Sequence, residues 1–315
     1  MDECGTTTAC GNCQAIFSSI AGIVDFVEGR ADTALGVHEY DAQKAVSFDL
    51  SKRLFFDMKE RSAGAIRDHL GNVLEFGAGT GLLTLAMLKH SSFDHAVITD
   101  ISSAMLRVCA ERLPVIGSVR QSKVTLATFS GQEPILVERA FDFCIGSSVL
   151  HHVLDCASLL AVLGRALKTG GKAIFTEPAA AFHDALTLAM SDTIAQLEAA
   201  GEAPPGLPIT AAWVQQTRFR LRAAPSELAA LEDKHIFRRE MVAEMGRSVG
   251  FADVSIAPFR HDPLGELAAA KYLHELGAAD TEAMFMPIYR EHARRRFAGL
   301  RHNDLSAMYL IVLTR

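Results

Sequence analysis

The chain has 315 residues, 49% of them hydrophobic and 22% charged, and a formal net charge of −6. That length suits one large α/β domain with additions or two small domains, and the acidic balance argues against a grip on nucleic-acid phosphates. No apolar run reaches the roughly 18 residues that cross a bilayer, and Met1-Asp2-Glu3-Cys4 opens without a leader pattern, so a cytoplasmic protein with reduced thiols is expected.

Residues 1–14 read as a polar tail holding Cys4, Cys10 and Cys13. Cys10-Gly11-Asn12-Cys13 is a Cys-x-x-Cys, which can place two thiolates on one zinc or iron–sulfur group, with Cys4 as a third ligand. A redox thiol pair and a frayed tail with incidental cysteines stand beside that reading. Residues 15–70 read as a helical cap, because Ile16, Ile20, Ile23, Val24 and Val27 recur at helical spacing and a second pattern runs from about Ala42 to Ile66. Tyr40, Phe48, Phe55 and Phe56 are aromatics for a lid, a substrate wall or the core.

The stretch Val73-Leu74-Glu75-Phe76-Gly77-Ala78-Gly79-Thr80-Gly81 organises the rest of the chain. An apolar run ends in an acid, and three alternating glycines then lead into a helical pattern from Leu82. This is a buried parallel strand turning sharply into a helix, whose free N–H groups and positive dipole end face a ligand. A dinucleotide fingerprint requires glycine where Leu82 stands. The next strand, Ala96 to Thr99, ends in Asp100, 23 residues after Gly77. A carboxylate at that interval can accept both ribose hydroxyl protons; the alternative is a helix N-cap.

The first stretch, followed by Asp100-Ile101-Ser102-Ser103-Ala104-Met105-Leu106, resembles the first two motifs of class I S-adenosylmethionine (SAM) methyltransferases. Phe141-Asp142-Phe143-Cys144-Ile145-Gly146-Ser147-Ser148-Val149-Leu150-His151-His152 is similar to the fourth motif of the small-molecule members. The resemblance implies a doubly wound, mostly parallel sheet of seven strands, a Rossmann-like α/β fold with helical insertions as a lid. It implies cofactor contacts from Glu75, Gly77, Ala78, Gly79, Gly81, Asp100, Ile101 and Met105. Ser147 and Ser148 match the pair beside the methionine moiety. After a third strand at Lys123–Phe129 the family carries an acid for the adenine; here the stretch is Phe129-Ser130-Gly131-Gln132-Glu133, a departure, with Phe129 and Ser130 as adenine neighbours and Gln132 or Glu133 as substitutes.

His151 or His152 is a candidate base toward the acceptor, or a structural hydrogen-bonding residue at a helix start. Leu167 to Pro178 reads as a turn at Gly170-Gly171 and a fifth strand ending in Glu177, with Thr169 where the family has proline. Glu177 is then a base, an acceptor contact, or a carboxylate binding nearby backbone N–H groups. Residues 71–178 form the expected cofactor core, 179–234 a helical lid with His183, Trp213 and Arg218 as acceptor contacts, and 235–315 the rest of the core with a helical insertion at Leu264–Leu300 and a final strand at Met308–Leu313. Arg294-Arg295-Arg296 reads as a solvated helix face.

The resulting expectation is a methyltransferase acting on a small molecule, with O-methylation favoured, in secondary metabolism. Its partner is the acceptor alone, with no nucleic acid and no membrane, and a homodimer is compatible. The alternatives are a nicotinamide-dependent oxidoreductase, disfavoured by Leu82 and by the lack of a Tyr-x-x-x-Lys pair, and a noncatalytic SAM- or metal-binding protein.

Overall fold

The computed structural model describes residues 6–9, 16–20, 22–27, 48–132 and 135–315. Within these, the strands are β1 (Thr6–Ala9), β2 (Ile16–Ile20), β3 (Ile23–Asp25), β4 (Asn72–Phe76), β5 (His95–Asp100), β6 (Val124–Thr128), β7 (Phe141–Ser147), β8 (Leu167–Pro178), β9 (Asp253–Pro258) and β10 (Met308–Thr314). They make one sheet in the order β1-β2-β3-β6-β5-β4-β7-β8-β10-β9. From β3 to β8 neighbouring strands are parallel, and β10 lies antiparallel between β8 and β9.

The chain winds outward from β4 through β5 to β6, then returns to the other side of β4 as β7 and continues to β8. The winding direction therefore reverses between β4 and β7. The crevice outside the carboxyl ends of these two strands is where doubly wound sheets hold ligands.

Both faces of the sheet are covered, which explains why its strands are continuous apolar runs. Side chains alternate across a strand: Val73, Ile145, Ile174 and Leu310 join one core cluster, while their neighbours Leu74, Cys144, Phe175 and Ile311 join the other. Each is at most 1% exposed, and full burial of such side chains contributes roughly 1.5–3 kcal/mol apiece. The first cluster is closed by α1 (Phe48–Arg61), α2 (Leu82–His90) and α3 (Ser103–Arg112), through Phe55, Met58, Met87 and Leu106. The second is closed by α4 (Cys156–Ala166), α5 (Ala180–Ala200), α6 (Leu207–Arg220), α7 (Arg239–Ser248), α8 (Glu266–Glu275) and α9 (Glu282–Phe297).

The strands from β6 to β9 are the seven expected; β1, β2 and β3 extend that sheet at its β6 edge. This corrects the helical reading of residues 16–27. Their apolar spacing fits a helix, but the β-branched Ile and Val side chains favour extended backbone. Gly22, at φ +79°, turns β2 into β3, and β3 then pairs with β6. The Phe26 and Val27 amides donate to Thr128 Oγ1 at 2.9 and 3.2 Å, which pins the segment to the end of β6. Gly170-Gly171 does bend the chain, with Gly170 at φ +78°, but the bend falls within the bounds of β8 and not before them. Pairing shifts there from Phe141–Leu167 to Phe143–Lys172 as an irregularity in the ladder.

Candidate active site

The turn after β4 carries three glycines in the left-handed region, Gly77 at φ +71°, Gly79 at +55° and Gly81 at +90°. A Cβ on Gly77 would lie 2.1 Å from Val149 Cγ2, so the loop leaving β7 packs directly on this turn. The Ala78 amide donates to the Thr99 carbonyl at 2.9 Å, and the Gly79 amide donates to Asp100 Oδ2 at 2.7 Å. Asp100 Oδ1 accepts from the Ser102 amide at 2.9 Å. Each carboxylate oxygen retains a second lone pair. Gly81 is the N-cap of α2 and supplies no side-chain cap, leaving the positive end of that helix at the crevice.

Ile101, next to Asp100, is 42% exposed, whereas Met105 is buried beneath it in α3. Glu75 is buried, and its Oε2 has no hydrogen-bond partner among the described residues. Burial pushes its carboxyl up to about 8, opposed by the Thr84 hydroxyl and reinforced by Asp100. Burial also raises Asp100, against the amides of Ser102, Gly79 and Ile101. Phe129 is buried edge-on to Phe76, with centroids 5.8 Å apart, so half-buried Ser130, rather than the ring, is presented at this strand end. Ser147 Oγ bonds Thr176 Oγ1 at 2.7 Å, and exposed Ser148 takes a φ of +54°. A glycine turn at a helix N-terminus, a strand-end carboxylate with spare lone pairs and an exposed aliphatic side chain beside it have the chemistry that the nucleoside and amino-acid parts of SAM would require.

Across the crevice, β8 ends in Glu177, which is fully buried. Its Oε1 accepts from the Val149 and Leu150 amides at 2.9 and 2.7 Å. Its Oε2 accepts from the His151 amide at 3.3 Å and from His151 Nδ1 at 2.7 Å. Thus Glu177 binds backbone N–H groups and also orients a histidine. With the proton held on Nδ1 by the carboxylate, the lone pair of neutral His151 is on Nε2.

Asp233 Oδ1 lies 3.6 Å from that Nε2 and 3.4 Å from His152 Nδ1, while Asp233 Oδ2 accepts from Arg220 Nη1 at 2.8 Å. Against the effect of burial, His151, Arg220 and His152 hold Asp233 below the usual carboxylate range. Desolvation first, then the His151 ring, push His152 down to about 4. The Arg220 side chain is 11% exposed, and its Nε has no partner among the described residues.

The structure brings together His151, His152 and Glu177. His183 lies deeper, with Nδ1 donating to the Ala179 carbonyl at 2.8 Å and Nε2 accepting from Tyr272 Oη at 3.1 Å. Burial pushes His183 down to about 4, so it is neutral. Trp213 also packs on Tyr272, tilted by 32° with ring centroids 4.2 Å apart. Arg218 points elsewhere: it donates to Ser191 Oγ at 3.3 Å and lines a cavity of about 600 Å³ with Val214, Phe219 and Arg222. Two residues on, around the helix, Arg220 faces Asp233. Sequence reasoning missed Arg220, Asp233 and Tyr272, because nothing local distinguishes them from other polar residues of the insert. Tyr40, Cys4, Cys10, Cys13 and Glu133 lie outside the described residues.

Residues 74–173 match the family model of a methyltransferase domain. The chain is 27% identical over 150 residues to an uncharacterized methyltransferase of Bacillus cereus, covering 47% of this chain and 66% of that protein. It is 34% identical over 110 residues to a highly reducing polyketide synthase of Phaeosphaeria nodorum, covering 34% of this chain and only 4% of the synthase. The fold is similar to a chain of the complex between the Haloferax volcanii Trm112 methyltransferase activator and a methyltransferase, with 13% identity, 88% of this chain and 96% of that one covered, and a TM-score of 0.52. It also resembles Haemonchus contortus phosphoethanolamine N-methyltransferase 2, solved with phosphomonomethylethanolamine and S-adenosylhomocysteine, with 14% identity, 95% and 62% coverage and a TM-score of 0.51. No helix among the described residues is long and apolar enough to cross a membrane. Residues 74–173 are thus similar to a SAM-dependent methyltransferase domain, and the fold built around them is the Rossmann-like fold of such enzymes.

Proposed function

We propose that this chain methylates a small molecule at an atom that carries a proton, with a hydroxyl as the first choice. SAM supplies an electrophilic methyl group on its sulfonium when bound. Gly77 to Gly81, Asp100 and Ile101 would hold it, and residues 179–234 would enclose the acceptor.

The observation that carries the reading is the 2.7 Å contact from His151 Nδ1 to Glu177. It holds the proton on Nδ1 and leaves the lone pair on Nε2, at the end of β7 where the methyltransferase-like core meets residues 179–234. A donor that already carries an activated methyl requires mainly positioning and exclusion of water. A base becomes useful when the acceptor must shed a proton, as a hydroxyl does. His151 Nε2 would take that proton, and the resulting imidazolium would lie between Glu177 and Asp233, two carboxylates that stabilise it. The orphaned Arg220 Nε offers a donor to an acceptor oxygen. The polyketide synthase match makes an acidic C–H beside a carbonyl the second reading, since the same base and donor suit an enolate.

The test is S-adenosylhomocysteine formation against phenols, enolisable ketones and thioesters, comparing the natural chain with His151→Gln. The expected result is turnover on one class, with kcat lowered about 10²–10⁴-fold in the variant and S-adenosylhomocysteine affinity retained. Undiminished turnover in His151→Gln would remove the base, and no product from any class would remove the small-molecule reading.

A further inference from the structure

We propose that His151, His152 and Asp233 form a binding site for one divalent cation of the zinc class. One donor atom from each residue lies within 4.8 Å of the other two. The separations from Asp233 Oδ1 to His151 Nε2 and His152 Nδ1 are 3.6 and 3.4 Å. A tetrahedral zinc bound at its usual lengths keeps its donors roughly 3.3–3.5 Å apart, so the two separations from Asp233 already stand near the edges of such a site. Two imidazoles and one carboxylate suit zinc, copper or nickel, whereas calcium and magnesium prefer all-oxygen shells.

The supporting residues favour this reading. Glu177 fixes the His151 proton on Nδ1 and leaves Nε2 as the ligand atom, the carboxylate–histidine arrangement that orients metal-bound imidazoles. Arg220 holds Asp233 by Oδ2 and leaves Oδ1 for the ion. Charge points the same way: two carboxylates, Glu177 and Asp233, face one guanidinium. With hydrogen bonds alone, His152 Nδ1–H is shared between the Glu232 carbonyl at 3.3 Å and Asp233 Oδ1. The His151 lone pair is then left facing a carboxylate oxygen at 3.6 Å. A cation placed among the three atoms relieves that contact. His152 would carry its proton on Nε2 instead, through exchange with solvent, to which its side chain is 42% exposed. Three protein ligands leave a fourth position open.

Zinc and the proposed base compete for the same lone pair on His151, so occupancy of the site would suppress methyl transfer. The site and the base are separable by experiment. The full chain, without a polyhistidine tag and with Cys4, Cys10 and Cys13 changed to serine so that thiols do not compete, is titrated with Zn²⁺ by calorimetry and against a chromogenic chelator. Thermal unfolding serves as the folding control. The expected outcome is one zinc per chain, with binding that weakens as pH falls and protons compete for the imidazoles. Asp233→Asn and His152→Gln should each lower the affinity at least about tenfold. Absence of stoichiometric zinc, or zinc binding unchanged in either folded variant, overturns the proposal. Failure of the base reading would show instead as full turnover by chelator-treated His151→Gln.

Discussion

The turn from Gly77 to Gly81 is built mainly from its own backbone and fastened at one place, the end of β5, whereas the cluster around His151 draws side chains from the β7 exit, the end of β8, the end of α6 and the loop at Asp233. The first region needs glycines at positive φ and one carboxylate that ties the turn to β5. The second depends on the protonation and aim of one imidazole, set by groups remote in sequence. A backbone-built cradle should lose affinity in increments when a side chain is altered. A side-chain-built dyad should lose function almost completely when one atom changes from acceptor to donor.

The largest expected effect is therefore at Glu177. Its two oxygens accept from three backbone amides and from His151 Nδ1. In Glu177→Gln only one of the two terminal atoms can accept. If the amide oxygen faces the backbone, its NH₂ group faces Nδ1, and the proton on His151 moves to Nε2. A histidine carrying its proton there has no lone pair on Nε2 with which to take the acceptor's proton, so kcat should fall about 10²–10⁴-fold. Because Glu177 acts through His151, the informative readout is the pH profile of kcat, whose rise with pH on the acid side should be lost while S-adenosylhomocysteine affinity stays. A profile of normal shape and height would show that the two halves of the cleft do not differ in this way.

Asp100 tests the cradle. Asp100→Ala removes a buried carboxylate that could receive ribose hydroxyls, and charge-assisted bonds contribute about 1.5–3 kcal/mol each. Calorimetry with S-adenosylhomocysteine should show affinity at least about tenfold weaker. The Gly79 and Ser102 amides would also lose their acceptor, so Asp100→Asn is the partner variant that keeps the shape. Unchanged affinity in a folded Asp100→Ala chain would mean that the carboxylate only ties the turn to β5.

The contrast also explains what could be read from the amino-acid order. The glycine turn, Asp100, the strand from Phe141 and the final strand at Met308 were legible because each is a local pattern with a local physical cause. The doubly wound order followed from the resemblance they carry. The pairing of Glu177 with His151 was not legible, since it depends on β7 and β8 being neighbours with their carboxyl ends level. Arg220 and Asp233 were invisible for the same reason. Arg218 and Arg220 look alike in sequence, and only the rotation of α6 decides that the second of them faces the cluster. At residues 16–27 the spacing of Ile and Val was compatible with a helix. Their β-branched side chains favour extended backbone, and the edge of β6, a tertiary feature, gives β3 its partner there.

Glu75 offers a smaller effect that probes the cradle without any ligand. Its carboxyl is buried against the turn and pushed from an ordinary 4.5 up to about 8, chiefly by loss of water. In the unfolded chain it ionises near the ordinary value, so between pH 4.5 and 8 the folded state holds a proton that the unfolded state has released. Stability contributed by this group is therefore fully present below pH 4.5 and declines as pH rises, with a slope that approaches about 1.4 kcal/mol per pH unit. Glu75→Gln keeps the size and the capacity to accept from Thr84 but cannot ionise. The difference in unfolding free energy between the two chains, measured by denaturant titration from pH 5 to 8.5, should grow steadily in favour of the glutamine and level off above pH 8. A constant difference across that range would mean that Glu75 is ionised in the folded protein at neutral pH. The carboxylate would then need a positive partner at the crevice, and the glycine cradle would depend on charge as well as on backbone shape.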